Sequence, residues 1–238
     1  MSYTVFISDL HLDAGRPAIT QALAAFLDQH KHCERLFILG DLFEAWIGDD
    51  DDAALALEIA DILAAFSASG PALYLMQGNR DFLLGEDFCR AVGAQLLPDP
   101  TVIDLYGEPT LLMHGDTLCT DDTDYQAFRK TARDPKWQTD LLVHSLDERR
   151  ALAKQLRSIS KESSSNKAED IMDVTTQEVH RMMTEQGVMQ LIHGHTHRPA
   201  RHDTAPGTRW VLGDWAQKGW FIRASDTGIE LKYFLIKQ

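Results

Sequence analysis

Val5-Phe6-Ile7-Ser8-Asp9-Leu10-His11 is a short apolar strand that runs directly into two side chains of metal-ligand type. Four later stretches have the same design, in which apolar strand residues lead into a polar cluster. They are Leu36-Phe37-Ile38-Leu39-Gly40-Asp41, Leu73-Tyr74-Leu75-Met76-Gln77-Gly78-Asn79-Arg80-Asp81, Leu111-Leu112-Met113-His114-Gly115-Asp116 and Leu191-Ile192-His193-Gly194-His195-Thr196-His197. Because α/β folds place ligands beyond the carboxyl ends of their strands, the five clusters predict one shared site.

Length and composition indicate a globular protein. The 238 residues are enough for one large domain with an elaboration, and 44% hydrophobic with 25% charged residues is ordinary. No stretch approaches the roughly 20 apolar residues of a membrane span, and the N-terminus shows no signal-type segment. Cys33, Cys89 and Cys119 are scattered, without the spacing of a disulfide framework or a zinc site. These features predict a reduced, cytoplasmic location.

Charge is distributed unevenly along the chain. The net charge of −13 argues against nonspecific nucleic-acid binding, which depends on basic surface. Residues 129–167 are the exception, with ten basic and five acidic side chains. Such a segment indicates an anionic partner, although solvated helix faces carry similar runs. Neither nucleic acid nor an obligate protein partner is predicted.

Strands and helices alternate through about the first 115 residues. The expected elements are helix Pro17–His30, strand Leu36–Leu39, helix Ala53–Phe66, strand Leu73–Met76, a short helix at Glu86–Val92, and a hairpin of Thr101–Leu105 with Thr110–Met113. Strands resume at Val188–Ile192 and continue near Trp210–Leu212, Gly219–Ala224 and Ile229–Leu235.

Residues 121–186 lose the strand pattern and are predicted to form helices, broken by the polar Ser158–Asn166 stretch. The predicted organisation is therefore an α/β core of residues 1–120 and 187–238. Residues 121–186 are predicted to form a helical cap inserted into that core.

Seven side chains of the five clusters offer ligand atoms without any thiolate. They are Asp9, His11, Asp41, Asn79, His114, His195 and His197. The pairs Asp9/His11 and His195/His197 are each separated by one residue, so their side chains can point the same way. Asp41 has two oxygens with which to bridge neighbouring ions. Mixed oxygen and nitrogen ligation suits Mn²⁺, Fe²⁺ or Zn²⁺ without choosing among them, and the set predicts a site for two ions.

The combination of motifs resembles the calcineurin-like metallophosphoesterases. The motifs are Asp9-Leu10-His11, Gly40-Asp41, Gly78-Asn79-Arg80-Asp81, His114-Gly115-Asp116 and Gly194-His195-Thr196-His197. The resemblance implies a four-layer α/β sandwich with mixed sheets. It implies one metal on Asp9, His11, Asp41 and His197, and a second on Asp41, Asn79, His114 and His195. Two ions about 3.5–4 Å apart activate water and clamp phosphoryl oxygens, so phosphate-ester or anhydride hydrolysis is expected, with Asp41 and Arg80 as catalytic residues.

Arg80 narrows the expected substrate, because the wider family commonly carries His at this position. An arginine, with its pKa above about 12, cannot protonate a leaving group, but it can hold phosphate oxygens with two parallel hydrogen bonds. A phosphate leaving group needs little protonation, so Arg80 favours a pyrophosphate over an alkyl phosphate ester. The alternative is an ion pair between Arg80 and Asp81 or another acid of the core.

Longer stretches resemble one subfamily, the pyrophosphatases that act on UDP-2,3-diacylglucosamine in lipid A biosynthesis. They are residues 40–50, 78–85 and 191–200, and the resemblance extends over essentially the whole chain. It implies hydrolysis at the α-phosphate to UMP and 2,3-diacylglucosamine 1-phosphate, two Mn²⁺ ions, and peripheral attachment to the cytoplasmic face of the inner membrane. It places substrate contacts at Asn79, Arg80, Asp122, Ser160, Ser164, Lys167 and His195.

Two of these contacts have alternatives. Relatives are expected to carry Asn at position 164, so the roles of Ser164 and Asn166 stay open. Asp122 is either a substrate contact or a helix N-cap. Two neighbouring acidic features have interpretations of their own. The acidic run Asp49–Asp52 is interpreted as complementing a helix dipole, and Asp116 is a candidate to orient His114.

The predicted cap suits a diacylated substrate because apolar side chains lie among its basic residues. These are Tyr125, Phe128, Trp137, Leu141, Leu142, Val143, Leu146, Leu152 and Leu156. They form either a lipid slot or the packing of the cap itself, and a basic amphipathic helix can also dock on anionic headgroups. The alternatives are a two-metal phosphodiesterase acting on a soluble nucleotide or phosphoester, and a metal-binding scaffold without catalysis.

Overall fold

The computed structural model describes residues 2–166, 171 and 173–237, with backbone only for residues 160–166. Its strands are β1 (Thr4–Ile7), β2 (Arg35–Leu39), β3 (Ala72–Met76), β4 (Ala94–Leu97), β5 (Thr101–Leu105), β6 (Glu108–Met113), β7 (Gln190–His193), β8 (Ala200–Asp203), β9 (Thr208–Val211), β10 (Lys218–Ser225) and β11 (Gly228–Leu235). Its α-helices are α1 (Pro17–His30), α2 (Ala54–Ala68), α3 (Glu86–Ala91), α4 (Thr123–Ala132), α5 (Pro135–Leu142), α6 (Leu146–Asn166) and α7 (Thr176–Glu185).

Two mixed sheets form the centre of the fold. The first has the order β11-β10-β1-β2-β3-β4, in which β1 to β4 are parallel and β10 and β11 are antiparallel additions. The second has the order β5-β6-β7-β9-β8, with β6, β7 and β9 parallel. The carboxyl ends of β1, β2, β3, β6 and β7 carry the five polar clusters, as the sequence predicts.

The central strands β1 and β2 are buried on both faces, which explains the apolar runs Val5–Ile7 and Leu36–Leu39. Alternate residues serve different cores. In β1, Val5 and Ile7 join the cluster beneath α1 and α2, whereas Phe6 joins the cluster between the two sheets. The same alternation places Phe37 on the inter-sheet side, stacked on Phe6 with ring centroids 5.0 Å apart.

Helices cover the outer face of each sheet. Pro17 occupies the first turn of α1, a position that Pro tolerates, and Leu23 and Phe26 of that helix are buried against the first sheet. On the opposite side, Val179 and Met183 of α7 pack with strand residues of the second sheet. The order of layers is therefore helix, sheet, sheet, helix, which confirms the predicted four-layer sandwich.

Two features differ from the expectations, and a third remains untested. The predicted break at Ser158–Asn166 is wrong, because α6 continues through Asn166; serine is only a weak helix breaker, and Lys and Glu within the stretch favour helix. The short strands β4 and β8 were not predicted. The division into core and cap stays a prediction, and α7 packs as an outer layer of the core.

No helix in the described parts of the chain combines the length and apolarity that crossing a membrane requires.

Met183→Ala should lower the free energy of unfolding by about 2–5 kcal/mol, because the side chain is fully buried between α7 and the second sheet. His180 is exposed on the same helix, so His180→Ala should stay within about 0.5 kcal/mol of wild type. Urea denaturation of the intact chain measures both. Equal stability of the two variants would contradict the placement of α7 as a core layer.

Candidate metal centre and cap cavity

Most of the predicted ligands lie on unusual backbone. Left-handed φ angles occur at Asp9 (56°), His11 (49°), Asp41 (52°), His195 (67°) and His197 (55°). Among the non-glycine residues that the structure describes, Tyr106 is the one other case. Such conformations cost about 1–3 kcal/mol each and persist where the surroundings impose them, often at functional sites. The sharp turns after the strands thus aim five of the seven side chains.

The structure brings all seven predicted ligands together. On one side, His11 Nε2 lies 3.1 Å from His197 Nε2, and His197 Nε2 lies 3.5 Å from Asp9 Oδ1. His11 Nε2 is also 3.9 Å from Asp41 Oδ2. Asp9, His11 and His197 can each offer one ligand atom so that all three atoms lie within 4.8 Å of one another.

The other half of the centre is built around Asn79. Its Oδ1 lies 2.9 Å from His114 Nε2 and 2.8 Å from His195 Nδ1. Asp41 Oδ1 is 3.8 Å from His114 Nε2, so the two oxygens of Asp41 face the two halves. Asp9, Asp41 and His114 form a second group with ligand atoms within 4.8 Å of one another. Asp9 therefore also lies near the second half, which the resemblance did not imply.

The electrostatics of the cluster fit a bound cation. Burial lowers the pKa of His114, but Asp41, Asp116 and Asp9 outweigh it and raise that pKa to about 9. Burial and the neighbouring His114 lower the pKa of His195 to about 4. The carboxylates thus favour positive charge at the centre of the cluster. Carboxylate, imidazole and amide donors without thiolate suit divalent first-row metals, so the residues present fit metal ions.

Asp81 fastens two of the ligand loops to each other. Its carboxylate accepts hydrogen bonds from the backbone N–H groups of Leu42 (2.8 Å) and Gly78 (2.7 Å), with longer ones from Asp41 and Phe43. Burial and the neighbouring Asp41 raise the pKa of Asp81 to about 6, against the effect of these donors. Gly78 allows the two loops to lie this close together, because a Cβ at that position would overlap the Asp41 carboxylate.

Sequence reasoning missed this function of Asp81 and considered it only as a partner of Arg80. Among the residues that the structure describes, the Arg80 guanidinium has no ion pair, so the Arg80–Asp81 alternative is wrong. The Arg80 backbone N–H donates to Asp41 Oδ1 at 2.8 Å, and the residue lines the main cavity.

The orientation of His114 also differs from expectation. His114 Nδ1 contacts the backbone carbonyl of Leu39 at 2.9 Å. Asp116, the predicted orienting carboxylate, instead accepts hydrogen bonds from Tyr125 Oη at 2.5 Å and Arg129 Nε at 2.8 Å. Asp116 therefore joins α4 to the core, and a backbone carbonyl orients the histidine.

A cavity of about 590 Å³ connects the metal-ligand cluster with the helices of the predicted cap. Its polar end is lined by His11, Asp41, Asn79, Arg80, His195 and His197, and its apolar wall includes Trp46, Ile47, Phe82, Leu83, Phe128, Leu141, Leu152, Leu156 and Ile159. Several apolar cap residues thus face an open space. Trp137 instead packs towards Phe82, with ring centroids 6.0 Å apart, and Val143 is exposed.

The remaining predicted substrate contacts divide into two sets. Asp122 accepts a hydrogen bond from the backbone N–H of Tyr125 at 3.1 Å as the N-cap of α4, and it also lines the cavity. Lys167 lies outside the described residues. Ser160 and Ser164 belong to α6, but their side chains lie outside the described residues.

Four arginines of the basic segment form ion pairs with the core, namely Arg129, Arg149, Arg150 and Arg157. Arg149 holds Asp50 through two contacts of 2.7 and 2.5 Å, and Arg150 pairs with Asp51 and Asp52. Asp50, Asp51 and Asp52 of the acidic run thus bind α6. Asp51 also accepts the backbone N–H of Ala53, directly before α2, at 3.2 Å, so a role at the dipole of α2 stays a prediction. The first residue of the run, Asp49, accepts N–H groups at the start of α3. These arginines therefore serve to dock the helices on the core, and an anionic partner of the segment stays a prediction.

Comparison with known proteins agrees with this geometry. The calcineurin-like phosphoesterase family matches residues 3–199. The chain belongs to this family. A solved structure of a hypothetical protein from Pyrococcus horikoshii has a TM-score of 0.54 at 11% identity, covering 100% of this chain and 88% of its own. That likeness shows a shared fold and nothing of function.

Two family members are far more similar in sequence. The UDP-2,3-diacylglucosamine hydrolase of Cellvibrio japonicus is 55% identical over 234 residues, covering 96% of this chain and 98% of that protein. The UDP-2,3-diacylglucosamine hydrolase of Marinobacter nauticus is 52% identical over 227 residues, covering 93% of each.

Asp81→Asn should destabilise the metal-free protein by about 1–3 kcal/mol, because an amide NH₂ would face backbone N–H groups that now have an acceptor. Asp87→Asn is the matched control, since Asp87 is an exposed aspartate. Thermal unfolding followed by circular dichroism compares the two. Indistinguishable melting temperatures would mean that Asp81 does not fasten the loops.

Proposed function

We propose that this chain hydrolyses the pyrophosphate bond of UDP-2,3-diacylglucosamine at its α-phosphate, giving UMP and 2,3-diacylglucosamine 1-phosphate in lipid A biosynthesis. The observation that carries the proposal is the single cavity that joins a cluster of metal ligands to an apolar wall. The substrate has the same two parts, a charged pyrophosphate and two acyl chains. Relatives named for hydrolysis of this compound, similar over nearly the whole chain, support the assignment.

The seven clustered ligands would hold two divalent ions, and the proposed ion is Mn²⁺, which accepts mixed oxygen and nitrogen ligation. When bound, such a pair supplies an activated water and offsets the charge of the phosphoryl oxygens. Asp41 is the proposed bridging ligand because its two oxygens face different halves of the centre.

Arg80 is proposed to hold the pyrophosphate. Its side chain lines the cavity beside the ligands, and its backbone is fixed by the hydrogen bond to Asp41. A guanidinium can form two parallel hydrogen bonds to phosphate oxygens, which would position the α-phosphate and stabilise the departing sugar phosphate. Because that leaving group is already an anion of low basicity, no proton donor is required of Arg80.

The other proposed substrate contacts lie at the polar end of the cavity or along its apolar wall. Asn79, Asp122 and His195 line it near the ligands, where they can meet phosphate and sugar oxygens. Ser160, Ser164 and Lys167 are proposed contacts on the resemblance alone. The acyl chains are proposed to lie along Phe128, Leu152 and their neighbours. A small soluble nucleotide or phosphoester would leave this apolar wall without a partner.

Peripheral attachment to the cytoplasmic face of the inner membrane is also proposed. The support for this attachment comes from exposed apolar side chains and not from basic ones, because most cap arginines already pair with the core. At the end of α5, Leu142 is 41% exposed and Val143 is 79% exposed, and Ile159 of α6 is 54% exposed. Side chains of this kind can enter the boundary between headgroups and acyl chains.

Removal of metal should abolish UMP release, and Mn²⁺ should restore it. The decisive assay follows UDP-2,3-diacylglucosamine hydrolysis in ¹⁸O-labelled water after metal stripping and readdition. Label in UMP is the expected result, since water then attacks the α-phosphate. Absence of UMP release with intact hydrolysis of bis(p-nitrophenyl) phosphate would leave a two-metal phosphodiesterase and overturn the lipid substrate.

Arg80→Ala should lower turnover by about 10²–10³-fold, because a charged donor to the transferring phosphoryl group is lost. Metal content should be unchanged, since the predicted ligands do not include the Arg80 side chain. Metal analysis of the purified variant and initial rates at saturating substrate measure the two effects. Near-normal turnover would remove Arg80 from the proposed chemistry.

Leu152→Glu should raise KM for the diacylated substrate at least tenfold, because it places a carboxylate in the apolar wall. Gln155→Glu introduces the same side chain at an exposed position of α6 and is the matched control. Hydrolysis of bis(p-nitrophenyl) phosphate should be similar in both variants. An equal KM for the lipid substrate would place the acyl chains elsewhere.

A further inference from the structure

Glu44 lies directly behind one of the predicted metal ligands. Its Oε2 is 3.0 Å from His11 Nδ1, at ion-pair distance although the atoms are not aligned as a hydrogen bond. The opposite ring nitrogen, His11 Nε2, faces His197 and Asp41. Glu44 therefore contacts the ring from the side away from the ligand cluster.

The other oxygen of Glu44 contacts α6. Glu44 Oε1 forms a short ion pair with Arg157 Nη2, while Arg157 Nη1 donates to the Glu44 backbone carbonyl at 2.6 Å. The Arg157 guanidinium thus binds both the carboxylate and the backbone carbonyl of Glu44. The Glu44 backbone N–H donates to the carbonyl of Leu12 at 3.0 Å, which fixes Glu44 beside the loop that carries His11.

This arrangement differs from the other contacts between α6 and the core. The Asp50–Arg149 pair and the contacts of Arg150 with Asp51 and Asp52 join the same helix to the same loop region. Within the described part of the chain, one acidic residue that pairs with an α6 arginine also contacts a predicted ligand side chain, and that residue is Glu44.

We propose that Glu44 is a positioning residue that couples the docking of α6 to the metal affinity of His11. When His11 binds an ion through Nε2, its Nδ1 carries the proton and requires an acceptor, and Glu44 Oε2 is the atom available there. Such a carboxylate fixes the tautomer and the ring orientation of a ligating histidine and increases its basicity. Arg157 fixes that carboxylate, so displacement of α6 loosens the ligand.

Coupling of this kind acts in both directions. If docking of α6 strengthens metal binding, metal binding must strengthen the docking of α6 by the same free energy. The inference rests on the proposed two-metal site, and the experiment therefore includes a measurement that tests the site itself.

The experiment titrates metal-free full-length protein with Mn²⁺, by calorimetry and by electron paramagnetic resonance of the coupled ion pair. Wild type should bind two ions per chain. Glu44→Gln should bind Mn²⁺ about 10–100-fold more weakly at one site, with loss of the coupled signal at concentrations that saturate wild type. Asp52→Asn is the matched control, because it removes an exposed ion pair to α6 while Arg150 keeps Asp51 and no ligand is touched, and its metal affinity should equal that of wild type.

Arg157→Gln should weaken the same site less than Glu44→Gln, and the double variant should match Glu44→Gln, because both changes act through one contact. Glu44→Asp keeps a carboxylate and should recover part of the affinity, which separates positioning from a general loss of folding. Hydrogen exchange supplies the reciprocal readout. Mn²⁺ should protect residues 146–157 in wild type and Asp52→Asn, and protect them less in Glu44→Gln.

Two outcomes are distinguished. Wild-type Mn²⁺ affinity and exchange protection in Glu44→Gln would overturn the coupling while leaving the metal site intact. Failure of wild type to bind two ions would overturn the proposed site itself. A Glu44→Gln protein that does not fold shifts the decision to Arg157→Gln and Glu44→Asp, where wild-type affinity in both would also overturn the coupling.

Discussion

The hydrogen bonds that Asp81 accepts from two separate loops are the constraint on which the metal centre depends. The loop after β2 carries Asp41 and the loop after β3 carries Asn79, and their backbone N–H groups share one buried carboxylate. Without such a shared acceptor, buried N–H groups would be left unpaired at a cost of about 1–3 kcal/mol each. The same contact holds Asp41 in its left-handed conformation, because a fixed loop cannot relax to an ordinary φ angle. The strands fix the other ligand loops, since each ligand lies a short distance after the end of a hydrogen-bonded strand.

The second organising interaction is the set of ion pairs between α6 and the loop after β2. Isolated exposed ion pairs contribute about 0–1 kcal/mol, so most of these contacts add little alone. Arg149 is different because it is 4% exposed and binds both a carboxylate and the Ile47 carbonyl. Together with Arg150 and Arg157, it fixes one helix in register along residues 44–52 of a single loop. The acidic character of that loop and the basic character of the cap therefore have a common structural cause.

Sequence reasoning predicted what depends on local pattern and missed what depends on long-range partners. The apolar strands followed by Asp, Asn and His predicted the strands around the site and all seven clustered ligands, because strand ends in parallel sheets meet at one edge. Asp50 and Arg149 are 99 residues apart, and no local pattern pairs them. Without that pairing, the basic segment suggested an external anion. The helix through Asn166 was missed because serine weakens helix propensity only slightly, so composition alone could not place its end.

The continuity of the cavity also bears on how binding energy can serve the proposed reaction. Burying acyl chains against Phe128, Leu152 and Leu156 yields about 25 cal/mol per Å² of apolar surface, and none of that interaction changes as a phosphoryl bond breaks. It accelerates the reaction only if it places the pyrophosphate against the ligands and Arg80. If the cap were free to tilt, acyl-chain binding could move α6 without placing the pyrophosphate at the ligands. The arginine contacts of that helix prevent this, and the one at Glu44 reaches the metal centre directly. Docking of the cap and order at the metal centre are therefore two consequences of the same set of contacts.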